Sequence, residues 1–378
     1  MPLLRRLALA FAVLVFAAVP AAMANPLLLI DTDSGAVLYE QDAGLPWHPA
    51  SLTKLMTAFV AFQAIADGRV GLDTPVTISR HAFNQAPSKS GLKVDSALSM
   101  QDALYVMLVK SANDVAVAVA ETVGGSEPAF VQQMNATAAR LGMTNTHYVN
   151  ANGLHAEEQV TSARDLAVLS LYIRQLFPQY LPIFETEAVR LGKAKLESNN
   201  DLLTHFSGTT GMKTGYICAS GLNIVATAQR NGRSLMAVVL GGSSARERGE
   251  MTAELFLRGF SGALGGTGRS ILDVANVAGA PADMRALLCG KQAKTYVAER
   301  EAAYPLGLKG QPSYLTDQVE GRIYAATDLG QIRDVPLPRP RPGSAPVQAF
   351  APVAAAGGDM VQPGNLGAIV PKPRPRPR

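Results

Sequence analysis

The sequence has few of the residues that build metal centres. Its 378 residues include five histidines, scattered along the chain, and only two cysteines, Cys218 and Cys289. These residues do not have the spacing of a metal-ligand motif, and neither cysteine has the surroundings of a nucleophile. The sequence therefore predicts a protein that uses neither a metal ion nor a cysteine nucleophile, and it contains no motif for a cofactor.

Long hydrophobic runs are scarce as well. Arg5 and Arg6 precede an apolar run over residues 7–19, and Ala22-Met23-Ala24 has the pattern of a signal-peptide cleavage site. The run is too short for a comfortable membrane span. Residues 1–24 are therefore predicted to be a signal peptide, and the mature chain is expected in the periplasm without a transmembrane segment. Because export favours disulfides, a bridge between the two cysteines is the simplest expectation, with two buried thiols as the alternative.

The positive net charge of +4 does not indicate a nucleic-acid-binding protein. Residues 336–378 hold six basic residues and one acidic residue. Without that +5 and the two arginines of the signal peptide, the rest of the chain has a net charge of −3. The Pro/Arg-rich composition predicts that residues 336–378 are extended and disordered. A weak, salt-sensitive tether to the anionic envelope is one role for this tail, and an inert chain end is the other.

Three short motifs supply the parts of a serine acyl-transfer centre. They read Ser51-Leu52-Thr53-Lys54, Ser111-Ala112-Asn113 and Lys213-Thr214-Gly215. The first motif begins an apolar run with helical spacing over residues 52–65, which places Lys54 one turn from Ser51 on the same helix face. A second Ser-x-x-Lys begins at Ser90, but it lies in a stretch with the composition of a loop and is set aside.

The motifs and their surroundings resemble the serine-type D-alanyl-D-alanine carboxypeptidases, the low-molecular-weight penicillin-binding proteins of the β-lactamase/transpeptidase-like superfamily. The resemblance covers roughly residues 25–264. It includes residues 49–54, residues 108–114, and residues 211–216 with Gly221-Leu222-Asn223 behind them. It implies removal of the terminal D-alanine from peptidoglycan pentapeptide stems through an acyl-enzyme on Ser51. It also implies covalent inhibition by β-lactam antibiotics.

Each motif residue has an expected role. Ser51 is the nucleophile and Lys54 is its base, neutral because it is buried beside Lys213. Ser111 passes the proton to the leaving D-alanine. The backbone N–H groups of Ser51 and Tyr216 are expected to form the oxyanion hole. The expected substrate-binding residues are Asn113 for an amide, Lys213 and Thr214 for the terminal carboxylate, Gly215 and Tyr216 of the same strand, and Arg248, which aligns with a family arginine near that carboxylate.

Three other functions fit part of the pattern. A D,D-endopeptidase would use the same centre on a cross-link. A class A-like β-lactamase would need a glutamate four residues before an asparagine, and no glutamate between the second and third motifs has one. A non-catalytic peptidoglycan-binding protein would not need an intact Ser51, Lys54, Ser111 and Lys213.

Strand-like segments near both ends of residues 25–264, with helical segments between them, predict an α+β fold. We expect an antiparallel sheet flanked by helices, with a helical subdomain. The predicted organisation is a signal peptide at 1–24, a catalytic domain at 25–264, an extension of uncertain structure at 265–335 and the tail at 336–378. Helices are expected over residues 251–260 and 282–288.

Overall fold

A five-stranded antiparallel sheet brings the two ends of the predicted catalytic domain together. The structure is a computed structural model that describes residues 25–331. The strand order of the sheet is β2-β1-β9-β8-β7, so β7 is an edge strand. The expected antiparallel sheet is confirmed. The strands are β1 Leu27–Asp31, β2 Val37–Gln41, β3 Pro75–Thr77, β4 Ala97–Ser99, β5 Thr186–Leu191, β6 Ala194–Glu197, β7 Thr209–Ile217, β8 Gly221–Arg230, β9 Arg233–Gly242 and β10 Arg322–Ala326.

Eleven helices occur among residues 25–331. They are α1 Thr53–Ala66, α2 Arg80–Phe83, α3 Met100–Val109, α4 Asn113–Gly124, α5 Glu127–Arg140, α6 Ala163–Leu176, α7 Leu181–Phe184, α8 Leu202–His205, α9 Ala245–Phe260, α10 Arg285–Leu288 and α11 Ala293–Ala303. Helix α1 is buried along nearly its whole length. It contacts α3, α4, α5 and α6, so the helix that follows Ser51 forms the centre of the helical part.

Serine N-caps define where several helices begin. The side chains of Ser99, Ser126, Ser162 and Ser244 accept hydrogen bonds from the third residue of α3, α5, α6 and α9. Helix α9 therefore starts at Ala245, and the expected start at residue 251 is wrong. Its first turn is polar, so the apolar periodicity that predicts a helix is seen only further along.

The chain after residue 264 packs on this domain. Strand β10 pairs in parallel with β5 and extends the small sheet formed by β5 and β6. The ring of Tyr324 in β10 stacks on Tyr105 with centroids 3.5 Å apart, and its hydroxyl donates to Asp102 across 2.7 Å. Helix α10 covers part of the expected 282–288 helix, whereas α11 has no clear sequence signal.

Some expectations concern residues outside those described. The signal peptide at 1–24, residues 332–335 and the tail at 336–378 all lie outside residues 25–331. Within the described range, no helix is both long and apolar enough to cross a membrane.

Candidate active site

Ser51 and Lys54 meet where a short 3-10 turn, Ala50–Leu52, leads into α1. The Lys54 Nζ lies 2.9 Å from the Ser51 Oγ. It also lies 2.7 Å from the Asn113 Oδ1 and 2.6 Å from the backbone oxygen of Asn152. A neutral amine has two N–H bonds and one lone pair. The two carbonyl oxygens can take both N–H bonds, which leaves the lone pair for the hydroxyl proton of Ser51.

The surroundings of Lys54 favour that neutral form. Its side chain is fully buried. Burial lowers the pKa of Lys54 well below its usual value, the nearby positive charge of Lys213 lowers it further, and Asp114 acts in the opposite direction. This shift favours the neutral amine, which is the form of Lys54 that can take a proton.

Ser111 lies in the turn between α3 and α4. Its φ of 63° is in the left-handed region, which a serine rarely adopts. The Oγ of Ser111 accepts a hydrogen bond from Lys213 Nζ across 3.0 Å. The second motif thus faces the third across the cleft, with the strain carried by the turn.

Asn113 is the first residue of α4, and both the oxygen and the nitrogen of its side-chain amide have hydrogen-bond partners. Its Oδ1 contacts Lys54, and its Nδ2 donates to the backbone oxygen of Ala86 across 2.9 Å. In this arrangement Asn113 orients the base. The predicted contact with a substrate amide would require the Nδ2 to leave Ala86.

Lys213 and Gly215 lie on the edge strand β7. Besides Ser111, Lys213 contacts the backbone oxygen of Thr214 at 2.7 Å. Burial, followed by the charge of Arg248, lowers the pKa of Lys213 to about 7. A Cβ at Gly215 would lie 2.9 Å from the backbone nitrogen of Ser51. A glycine there lets β7 approach the nucleophile closely.

Arg248 lies in the first turn of α9 and lines the same cleft. Its guanidinium donates to the backbone oxygen of Asn199 across 2.7 Å. Its Nε has no hydrogen-bond partner among the described residues. Burial lowers the pKa of Arg248 to about 10, so it is still a cation at neutral pH. A buried guanidinium with a free donor suits an anionic ligand such as a carboxylate.

Tyr216 and the two cysteines form one rim of the cleft. The side chain of Tyr216 is half exposed, and its hydroxyl lies 3.3 Å from the Cys289 Sγ. The structure joins Cys218 to Cys289 in a disulfide with Sγ atoms 1.97 Å apart. Because Cys218 follows Tyr216 by two residues, this bond attaches the end of β7 to the segment after residue 264.

Sequence reasoning missed several supporting residues. The fully buried Asp114 accepts hydrogen bonds from both the backbone nitrogen and the hydroxyl of Ser90. Ser90, set aside as a nucleophile, therefore helps to hold the second motif. At Gly153 the φ is +88°, and a Cβ would lie 1.9 Å from the Ala50 oxygen. No local pattern in the sequence indicates that Gly153 packs against the residue before Ser51.

The cleft has a volume of about 460 Å³. Its lining includes Ser51, Ser111, Asn113, Thr214, Gly215, Tyr216, Arg248, Gly153, Leu154, Ser198 and Asn199. Lys54 and Lys213 lie directly behind Ser51 and Ser111. Within residues 25–331, no three histidine, cysteine or acidic side chains come together as a candidate metal site. The cleft thus combines serine hydroxyls with the buried amines of Lys54 and Lys213 and the buried guanidinium of Arg248.

This sheet, with a Ser-x-x-Lys helix beneath its edge strand, defines a penicillin-binding-protein fold. Residues 15–244 match the family described as D-alanyl-D-alanine carboxypeptidase, and the chain belongs to that family. It is 34% identical over 248 residues to D-alanyl-D-alanine carboxypeptidase DacC of Escherichia coli K12, which is 64% of this chain and 62% of that protein. The chain therefore spans less than two thirds of that curated relative.

Two solved structures show the same fold. Penicillin-binding protein 5 from Haemophilus influenzae is 32% identical with a TM-score of 0.59, over 62% of this chain and 70% of the other. Penicillin-binding protein D2 from Listeria monocytogenes, in its cefotaxime-bound form, is 33% identical with a TM-score of 0.57. That match covers 63% of this chain and 97% of the other.

Proposed function

We propose that this protein is a serine D-alanyl-D-alanine carboxypeptidase that removes the terminal D-alanine from peptidoglycan pentapeptide stems. The observation that carries the proposal is the contact between Ser51 and a fully buried Lys54 whose two N–H bonds already have acceptors. A serine hydroxyl is a weak nucleophile until a base takes its proton. Here the base, the nucleophile and a cationic end of the cleft occur together.

Acylation follows from these contacts. Lys54 takes the hydroxyl proton as the Ser51 Oγ bonds to the carbonyl carbon of the penultimate D-alanine. The backbone N–H groups of Ser51 and Tyr216 stabilise the oxyanion. The C–N bond then breaks, and the proton held by Lys54 passes through Ser111 to the leaving nitrogen, which returns Lys54 to its neutral form. Lys54 next takes a proton from a water molecule that attacks the ester carbonyl, and it gives this proton to the Ser51 oxygen as the ester bond breaks.

The cationic end of the cleft supports exopeptidase specificity. A terminal carboxylate would lie in the cleft beside β7. That part of the cleft is lined by Thr214 and Arg248, and Lys213 adjoins it. A β-lactam offers a comparable carbonyl and carboxylate, so we also propose covalent acylation of Ser51 by β-lactams. Hydrolysis of that adduct should be slow, because the sequence lacks the glutamate arrangement of class A β-lactamases.

We extend the proposal to organisation and location. Residues 1–24 direct export to the periplasm, residues 25–264 contain the reaction centre, and residues 265–335 form an extension of it. The basic segment 336–378 tethers the protein weakly to the anionic envelope. The support is the sequence pattern of each segment.

Incubation with a D-Ala-D-Ala pentapeptide, with released D-alanine measured over time, tests the activity. The Ser51→Ala variant is the matched control, because it removes one hydroxyl and should abolish both release and labelling by penicillin. Wild-type protein that neither releases D-alanine nor becomes labelled would refute the proposal.

The tether has its own test. A protein truncated after Val335 should hydrolyse a soluble pentapeptide at the wild-type rate and sediment less with cell-wall sacculi at low salt. Equal sedimentation of the truncated and full-length proteins would show that the tail is not a tether.

A further inference from the structure

The segment containing α10 and α11 connects two walls of the cleft. At one end, Cys289 is bonded to Cys218, and the backbone nitrogen of Met284 donates to the oxygen of Ala219 across 3.0 Å. These contacts hold the turn that follows β7. At the other end, the guanidinium of Arg246, in the first turn of α9, donates a hydrogen bond to the backbone oxygen of Tyr304 across 2.9 Å. The segment therefore touches both the strand of Lys213 and the helix of Arg248.

An ion pair also joins this segment to α9. The Nε and terminal nitrogen of Arg300 lie 2.8 Å and 2.6 Å from the Glu247 Oε1. The carboxylate of Glu247 is fully buried, whereas Arg300 is about one quarter exposed. A buried carboxylate without its cation is strongly unfavourable, so the first turn of α9 would have to open and admit water if Arg300 were lost.

Glu247 connects this ion pair to the position of Arg248. Its second oxygen accepts a 2.7 Å hydrogen bond from the backbone nitrogen of Ser243, where β9 turns into α9. Its own backbone nitrogen is capped by Ser244. One carboxylate therefore joins the end of β9, the first turn of α9 and α11. Arg248 is the next residue, so its direction into the cleft depends on this turn.

We propose that Arg300 is a positioning residue for substrate binding: through Glu247 it holds the first turn of α9 so that Arg248 faces the terminal carboxylate of the peptide. The inference rests on the proposed carboxypeptidase function and deepens it. It assigns residues 284–304 to the catalytic unit, although they lie beyond the part of the chain that matches the family.

The test compares two acetylated tripeptides, one ending in D-Ala-D-Ala and the other in its C-terminal amide, which lacks the carboxylate. Arg300→Gln should raise KM for the free acid about tenfold, the effect of losing one charge-assisted hydrogen bond, with little change in kcat. Its kcat/KM on the amide should change less than twofold. Arg300→Lys keeps a cation and should recover part of the loss.

Arg258→Gln is the matched control, because Arg258 lies on α9 and pairs with the partly exposed Glu254. It should leave the ratio of kcat/KM for the free acid to that for the amide unchanged. If Arg300→Gln leaves the ratio of kcat/KM for the free acid to that for the amide unchanged, the inference about Arg300 is wrong, whether or not both rates fall. That result would leave the proposed carboxypeptidase function standing. If that variant does not fold, the same ratio measured in Arg300→Lys decides. Wild-type protein inactive on the free acid would instead refute the proposed function, and the inference with it.

Discussion

The amine of Lys213 donates a hydrogen bond to the hydroxyl of Ser111 across 3.0 Å. This contact joins β7 to the turn before α4, two elements separated by about a hundred residues of sequence. Lys213 is buried, and its only direct hydrogen-bond partners among the described residues are uncharged. The protein therefore holds a lysine whose charge is costly inside the fold, at the position where the proposed function places the substrate carboxylate.

The first prediction concerns stability. The pKa of Lys213 is about 7 in the folded protein and near 10.5 in the unfolded chain. Between about pH 7 and pH 10.5, Lys213 is protonated in the unfolded chain but neutral in the folded protein, so lowering the pH favours unfolding. Below about pH 7 Lys213 is charged in both states, and the full cost of burying its charge is present. Lys213→Met should raise the free energy of unfolding at pH 7 by roughly 2–5 kcal/mol. Chemical denaturation over a range of pH measures the gain, which should shrink toward pH 10.5.

A surface lysine provides the control for this prediction. Hydrogen bonds to Glu187 and Glu197 raise the pKa of Lys195, so its charge is favoured in the fold. Lys195→Met should therefore lower stability slightly at neutral pH, the opposite sign. A Lys213→Met variant that is no more stable than wild type would show that Lys213 is not destabilising.

The catalytic part of the site could be predicted because its residues are close together in short motifs. Ser51 and Lys54 are one helical turn apart, so the apolar run after them was enough to place them on one face. The contact of Lys213 with Ser111 was not predicted, because no local pattern links two motifs so far apart; the family resemblance only placed both residues in one site.

Other features had no local signal. Strand β10, near the end of the described chain, pairs with β5 in its middle, and the five residues of β10 are too few for a reliable strand pattern. Asp114 follows the second motif, but its buried contact with Ser90 depends on the loop from α2 folding back over α4. The start of α9 was hidden because Arg246, Glu247 and Arg248 are charged residues that the tertiary structure buries or pairs.

The second prediction concerns Gly153. A methyl group there would lie 1.9 Å from the oxygen of Ala50, and the φ of +88° is unfavourable for alanine. Gly153→Ala should displace the turn that carries Ser51 and lower kcat/KM by about a hundredfold, since small misplacements of reacting groups are costly. It should also lower the free energy of unfolding by about 2–4 kcal/mol.

Gly192→Ala is a suitable control for that substitution. Its φ is also positive, at +57°, but a Cβ there would meet no atom within 4 Å. This variant should lose about 1 kcal/mol of stability from backbone strain alone and keep full activity. Similar activity of the two variants in D-alanine release would mean that contact with Ala50 does not position the nucleophile.

The third prediction concerns the disulfide. Cys218 and Cys289 are separated by 71 residues. Closing a loop of that length stabilises the fold by about 4 kcal/mol in the chain-entropy description. Replacing both cysteines with serine should lower the free energy of unfolding by about that amount, measured with denaturant. Mass spectrometry that finds two free thiols in protein from the periplasm would contradict the bridge.

The last prediction is the pH dependence of turnover. In the proposed function Lys213 must be protonated to attract the substrate carboxylate, and its pKa is about 7 in the structure. A bound carboxylate favours the charged form and raises that pKa. The pH dependence of kcat/KM reports the pKa of a group in the free enzyme, and that of kcat reports the pKa in the enzyme–substrate complex. As the pH rises, kcat/KM should therefore begin to fall at a lower pH than kcat does. KM should accordingly rise from about pH 7 upward.

The profile of a Lys213→Arg variant checks the assignment. Guanidinium remains protonated far above the range in which lysine titrates, so the alkaline fall of kcat/KM should move to higher pH even if the rate is lower. Both profiles are measured on the same pentapeptide over about pH 5 to 11, a range that spans the titration of a lysine with a lowered pKa. If the fall stays at the same pH in the arginine variant, a group other than Lys213 controls it, and the buried lysine is not the carboxylate anchor.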